Sequence, residues 1–143
     1  MQKTVKVNAK LGEGYRVDLQ AGKHSMIIDQ PEAGGGKDEG PSPLPVFLFA
    51  LGGCLATIAA IKARQDRIKL RSFDVEIDGD IDTAYLMGKT TEGRAGFTEI
   101  RVKVNIDADM TDEEKQAFFE AVDARCPISD NMVNDTKIVF DVN

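Results

Sequence analysis

Three observations predict an α+β fold: short runs of alternating polarity at the start and middle of the chain, one long uncharged segment between them, and a capped amphipathic helix further on. The predicted order is strands, a long helix, strands, a helix and a last strand, which is not the alternation of a doubly wound sheet. With 143 residues, the chain is expected to form a single domain, residues 1–143, around one core.

Val5, Val7, Ala9 and Leu11 alternate with Lys6, Asn8 and Lys10, the period of a half-buried strand, and Gly12-Glu13-Gly14 then reverses the chain. Tyr15, Val17 and Leu19 continue the pattern around Arg16 and Asp18. A turn at Ala21-Gly22-Lys23 leads to a third strand over Ser25 to Asp29, so the chain opens as an N-terminal β-meander. Residues 31–42 are glycine-rich and have no apolar period, which predicts a mobile connector.

Residues 43–61 hold 19 positions without a charge, and charges resume at Lys62, Arg64, Asp66 and Arg67. Such a segment is nearly long enough to cross a bilayer. It also holds two prolines and the adjacent Gly52-Gly53, and it sits between amphipathic strands that need a core element to cover. The preferred reading is a long central helix, apolar on all faces and therefore buried on all faces, with no membrane partner. Six or so short strands hardly enclose it, so a homodimer that covers the helix from the other side is expected on packing grounds alone.

Ser72 to Asp82 alternates strictly, with Phe73, Val75, Ile77 and Ile81 on one face and Asp74, Glu76, Asp78, Asp80 and Asp82 on the other. The acidic row has a loop-like spacing, but Gly79 is misplaced for an EF-hand, and Lys89 stands where the bidentate Glu belongs. A strand near Phe97 to Ile106 sends Arg101 and Lys103 outward, and a charge ladder across the two strands is the expected use of those acids. Thr111-Asp112-Glu113-Glu114 is a capping box, and Ala117, Phe118, Ala121 and Val122 recur at helical spacing behind it. Cys126-Pro127 then reads as a fresh helix start with Cys126 as cap, and Thr136 to Val142 as a closing strand.

The balance of 18 basic against 24 acidic side chains gives a net charge of −6, the wrong sign for a nucleic-acid partner. One His and two Cys, with the cysteines 72 positions apart, give no metal-type cluster, and neither a metal nor a cofactor is expected. The first residues lack the apolar stretch of a secretory signal, so a cytoplasmic location is expected. In that reducing setting a structural disulfide is disfavoured. The cysteines are then either silent core thiols or a redox couple. Cys54 lies in the most apolar segment, where burial alone makes a thiol inert. Cys126, at a helix start behind Arg125, is the thiol that local charge and unpaired amides favour as the more acidic.

Gly40-Pro41-Ser42-Pro43-Leu44 leading into Ala50-Leu51-Gly52-Gly53-Cys54, with Arg125-Cys126-Pro127-Ile128-Ser129 downstream, resembles the OsmC/Ohr family, and the Leu-Gly-Gly-Cys form is similar to its YhfA-like branch. The resemblance spans nearly the whole chain. It implies an OsmC-like fold, an intertwined homodimer, and a thiol-dependent peroxidase for organic hydroperoxides. By the same resemblance Cys54 is the peroxidatic residue, Cys126 resolves it, and a dithiol or a lipoyl protein is the reductant. Phe47, Phe49 and Leu51 become candidate walls of an apolar substrate pocket.

A thiolate in an apolar site needs a cation beside it. The family uses an Arg of the N-terminal strands, for which Arg16 is the matching residue, held by a Glu nine or ten positions before the cysteine. Those positions are Pro45 and Leu44 here. Glu39 or Asp38 substitutes only where the preceding loop folds over the site. His24, the single histidine, reads as a surface residue, since a charged thiolate needs no base. The alternatives are a non-catalytic module for a hydrophobic ligand and a redox sensor.

Overall fold

The computed structural model describes all residues, 1–143. It holds five strands and four α-helices in the order β1 (Asn8–Leu11), β2 (Val17–Ala21), β3 (His24–Ile28), α1 (Pro43–Gln65), β4 (Ser72–Ile81), α2 (Thr83–Leu86), β5 (Phe97–Asp107), α3 (Asp112–Asp123) and α4 (Pro127–Val133). By compactness the chain divides into two units, Met1–Phe49 and Ala50–Asn143. The mixed α+β architecture expected from the sequence is present.

In the first unit β1, β2 and β3 form an antiparallel meander, with Leu11 opposite Val17 and Leu19 opposite Met26. Positive φ angles at Gly14 and Gly22 close its two turns, a conformation that glycine adopts without the Cβ clash. The connector after β3 is not the loose segment its composition predicts. It contains a 3-10 turn at Glu32–Gly34, and its far end returns to β3, where the Asp29 amide donates to the Pro41 carbonyl at 3.2 Å. Glycine makes that return possible: a Cβ at Gly40 would lie 2.2 Å from the Ile27 carbonyl oxygen, and one at Gly36 2.0 Å from that of Gln30.

In the second unit β4 and β5 form a long antiparallel ribbon with an irregularity at Asp80/Ile81. Its outward charges are cross-linked. Arg101 pairs across the ribbon with Asp78 and with Asp80 at 2.6 Å, and along its own strand with Glu99 at 2.7 Å, so the predicted ladder is present at Arg101, while Lys103 makes no ion pair. The core gathers Leu51, Leu55, Ala59 and Ala63 of α1 with Phe118 and Val122 of α3 and with Cys126; Phe73, Val75 and Ile77 of β4 and Ile100 and Ile106 of β5 pack against it. The α1 residues recur every fourth position, so a single stripe of the helix is buried.

α1 is long and apolar enough to cross a membrane by length and composition, with a mean hydropathy of 2.3 over its most apolar window. Within one chain most of its surface is not buried, and Phe49 is 67% exposed. Lys62 and Arg64 sit in the last turn, where the partial charge of the unpaired carbonyls favours cations. The helix ends with Arg67 at φ 56°, while the Ile68 amide reaches back to the Ala63 carbonyl at 2.8 Å. α3 carries the predicted capping box, with the Glu114 amide donating to Thr111 Oγ1 at 3.1 Å and the Thr111 amide to the Glu114 carboxylate at 2.8 Å.

The closing strand expected over Thr136 to Val142 is absent. Residues 134–143 have no regular structure, and Ile138, Phe140 and Val142 are 70–90% exposed. A strand needs a ladder to satisfy its amides and carbonyls, and no strand of this chain pairs with that segment.

Leu55, 1% exposed, is expected to cost about 2–5 kcal/mol when replaced by Ala. Arg67→Gly is expected to add up to about 1 kcal/mol by relieving the left-handed conformation. Urea unfolding of both variants checks the two signs.

Candidate active site

The thiols meet in the second unit. α1 runs unbroken through Gly52-Gly53, so Cys54 is a mid-helix residue and has no helix end of its own. A Cβ at Gly52 would lie 3.3 Å from Ile77 Cδ1, so glycine allows this turn to sit closely on β4. Cys54 is half-buried.

Cys126 arrives from the other side of the core. It is the N-cap of α4, with Pro127 directly after it, as the sequence predicts. Its amide donates to the Asp123 carbonyl at 3.0 Å and its sulfur accepts the Ser129 amide at 3.4 Å. Ser129 Oγ in turn donates to the Asp123 carboxylate at 2.6 Å, which ties the end of α3 to the start of α4. Held in this way, the Cys126 S–H donates to Cys54 Sγ across 2.8 Å. Both cysteines are free thiols.

Burial is the main force that pushes the Cys126 thiol above the ordinary value, and its hydrogen bond to Cys54 adds to the rise. The amides of Ser129 and Ile128 act in the opposite direction and do not win. The expectation that the helix start makes Cys126 acidic is therefore corrected: the helix start is real, but the residue is 1% exposed and burial outweighs the amides. Arg125 does not change this, because its Nη1 donates to Gln65 Oε1 at 3.0 Å.

Arg16 lies in the first unit, just before β2. Its Nε and Nη2 donate to Asp18 Oδ1 at 3.2 and 3.0 Å, and its Nη1 to Glu39 Oε2 at 3.1 Å. Asp18 first and Glu39 second raise the guanidinium pKa, so its charge is permanent. Glu39 thus meets Arg16 although no acid stands at position 44 or 45. Asp38, at φ 54°, is used by its backbone, with its amide donating to the Gln30 carbonyl at 3.1 Å. An open groove of about 780 Å³ is lined by Arg16, Leu19, Met26, Ile27, Glu39 and Pro41 among others.

Of the proposed apolar wall, Leu51 is core and 5% exposed, while Phe47 and Phe49 are exposed. His24 is an exposed residue at the start of β3. One residue escaped sequence reasoning. Asp29 is 2% exposed, and its carboxylate accepts three backbone amides. Its only signal is an acid ending an apolar run directly before a glycine-rich loop.

The site is thus a helix-borne thiol in contact with a second thiol that caps another helix, on a mixed α+β scaffold. Residues 35–141 match the OsmC-like protein family, and the chain belongs to that family. It is 25% identical over 128 residues to a hydroperoxide reductase of Mycoplasma genitalium, covering 89% of this chain and 85% of the relative. Its fold is similar to that of an OsmC-like protein from Mycoplasma pneumoniae, with a TM-score of 0.80, 22% identity, and coverage of 93% of this chain and 89% of the other. It is also similar to the organic hydroperoxide resistance protein OsmC of Legionella pneumophila, with a TM-score of 0.64, 18% identity, and coverage of 92% and 90%.

Iodoacetamide at pH 8 is expected to label Cys54 at least about tenfold faster than Cys126, because only the thiolate reacts, and Cys126 is 1% exposed with its thiol pushed up by burial while Cys54 is half-buried. Peptide mapping by mass spectrometry reads the order, and faster labelling of Cys126 would contradict it.

Proposed function

We propose that this protein is a thiol-dependent peroxidase that reduces organic hydroperoxides, with Cys54 as the attacking sulfur and Cys126 as the resolving one. The observation that carries this reading is the 2.8 Å contact between the two sulfurs. Membership of a family with a hydroperoxide reductase and hydroperoxide resistance proteins among its relatives supports the substrate class.

In the proposed cycle the Cys54 thiolate attacks one oxygen of ROOH, the O–O bond breaks, and the alkoxide leaves and takes a proton as ROH. Sulfur is oxidised to the sulfenic acid and the peroxide is reduced. The Cys126 sulfur then attacks Cys54, the S–O bond breaks, and water leaves with the thiol proton, giving a disulfide. An external dithiol, or a lipoyl protein, restores both thiols by exchange. The upward push that burial gives the Cys126 thiol suits this order, because less thiolate character makes the resolving sulfur a weaker competitor for peroxide. Arg16 is proposed as the counter-charge for the Cys54 thiolate, with Glu39 standing in for the carboxylate that the family places near the helix start.

The exposed apolar surface of α1 supports a homodimer as the working form. Sedimentation is then expected to give about twice the chain mass of 15.6 kDa in the absence of detergent. A monomer stable only in detergent would overturn the dimer.

Reduced protein exposed to cumene hydroperoxide is expected to lose both thiols. Cys54→Ser abolishes turnover, and Cys126→Ser stops after one equivalent at the sulfenic acid, which a dimedone adduct reveals. No thiol loss, together with identical behaviour of Cys54→Ser, would remove the peroxidase reading. The groove beside Arg16 favours a second reading, a module that binds a hydrophobic molecule. A ligand co-purifying in native mass spectra without peroxide turnover would select it.

A further inference from the structure

Asp29 has no part in the proposed chemistry, yet it is the one charged or polar residue of the chain that is buried. It closes β3, and its carboxylate is spent on backbone. Oδ1 accepts the Gln30 amide at 2.7 Å; Oδ2 accepts the amides of Lys37 and Glu39, both at 3.2 Å. These three bonds gather the start and the end of one loop onto a single side chain. The Asp29 amide completes the closure through the Pro41 carbonyl, and the Asp38 amide through that of Gln30. The residue held at the end of this network is Glu39, and Glu39 accepts Arg16 Nη1.

We propose that Asp29 is a positioning residue that sets Glu39 against Arg16 by fixing the backbone of the loop between residues 30 and 41. The chemistry asks for a carboxylate. Three amides converge on two oxygens, and an Asn presents one oxygen and one NH2, so one of the two positions faces donor to donor. Position 29 is buried, so leaving its NH2 facing an amide without an acceptor is costly, and the loop end moves away instead. Glu39 then leaves Arg16, whose remaining carboxylate partner is Asp18. The effect on turnover rests on the peroxidase reading above; the effect on the ion pair does not.

The test compares Asp29→Asn, Glu39→Gln and the double variant in the intact protein, with Glu32→Gln in the same loop as a control. Amide exchange by NMR is expected to be at least about tenfold faster at Lys37 and Glu39 in Asp29→Asn, and the Arg16 Nε–H signal is expected to move to its position in Glu39→Gln. Cumene hydroperoxide turnover falls by the same factor in both single variants and no further in the double variant, the non-additivity of residues acting through one another. Glu32→Gln leaves the Arg16 signal and turnover unchanged. If Asp29→Asn does not fold, Gly40→Ala, which crowds the Ile27 carbonyl with Asp29 intact, is expected to move the same signals. An unmoved Arg16 signal in Asp29→Asn, or additive losses in the double variant, overturns the proposal. Absence of turnover in the unmodified protein overturns the peroxidase reading alone, because the Arg16 signal still decides the role of Asp29.

Discussion

The second unit depends on one constraint: a helix with no charge before its last turn must hide an apolar stripe. Leu51, Leu55, Ala59 and Ala63 meet this by lying against α3 and the β4–β5 ribbon. Burial of one Leu side chain contributes about 1.5–3 kcal/mol, and the small residues at positions 52, 59 and 63 let the helix approach its neighbours closely. Cys54 is one residue before Leu55 in this stripe, so the packing that secures the core also fixes the height and direction of the thiol. The position of Cys126 follows from the same core, because the residue is itself a buried member of it.

The chemistry of the pair is therefore a consequence of packing more than of local charge. A helix N-terminus lowers a thiol pKa when solvent and amides surround the sulfur. At Cys126 the amides are present but water is excluded, and a neighbouring sulfur accepts the proton's hydrogen bond. Desolvation wins, and the two thiols become unequal: one is closed to solvent, the other half-open.

What was legible in the sequence follows from how local each signal is. The capping box at Thr111, the Cys126-Pro127 start, the meander turns and the β4–β5 alternation are written within four to ten consecutive residues, and all appear in the structure. The Arg101 ladder was legible because antiparallel register turns sequence alternation into cross-strand neighbours. The expected strand over Thr136 to Val142 failed because alternation records a capacity to pair, while pairing needs a partner edge. The acidity of Cys126 was misjudged for the same reason, since burial is a property of the whole fold. Asp29 was invisible because its partners are backbone amides, which every sequence contains.

The separation of the two thiols has a consequence for folding itself. A bond between sulfurs 72 positions apart closes half the chain into a ring and removes about 4 kcal/mol of loop-closure entropy from the unfolded ensemble, in the chain-entropy account. Oxidation and resistance to unfolding are thereby coupled, so each turn of the proposed cycle passes through a more robust molecule and returns to a more pliable one.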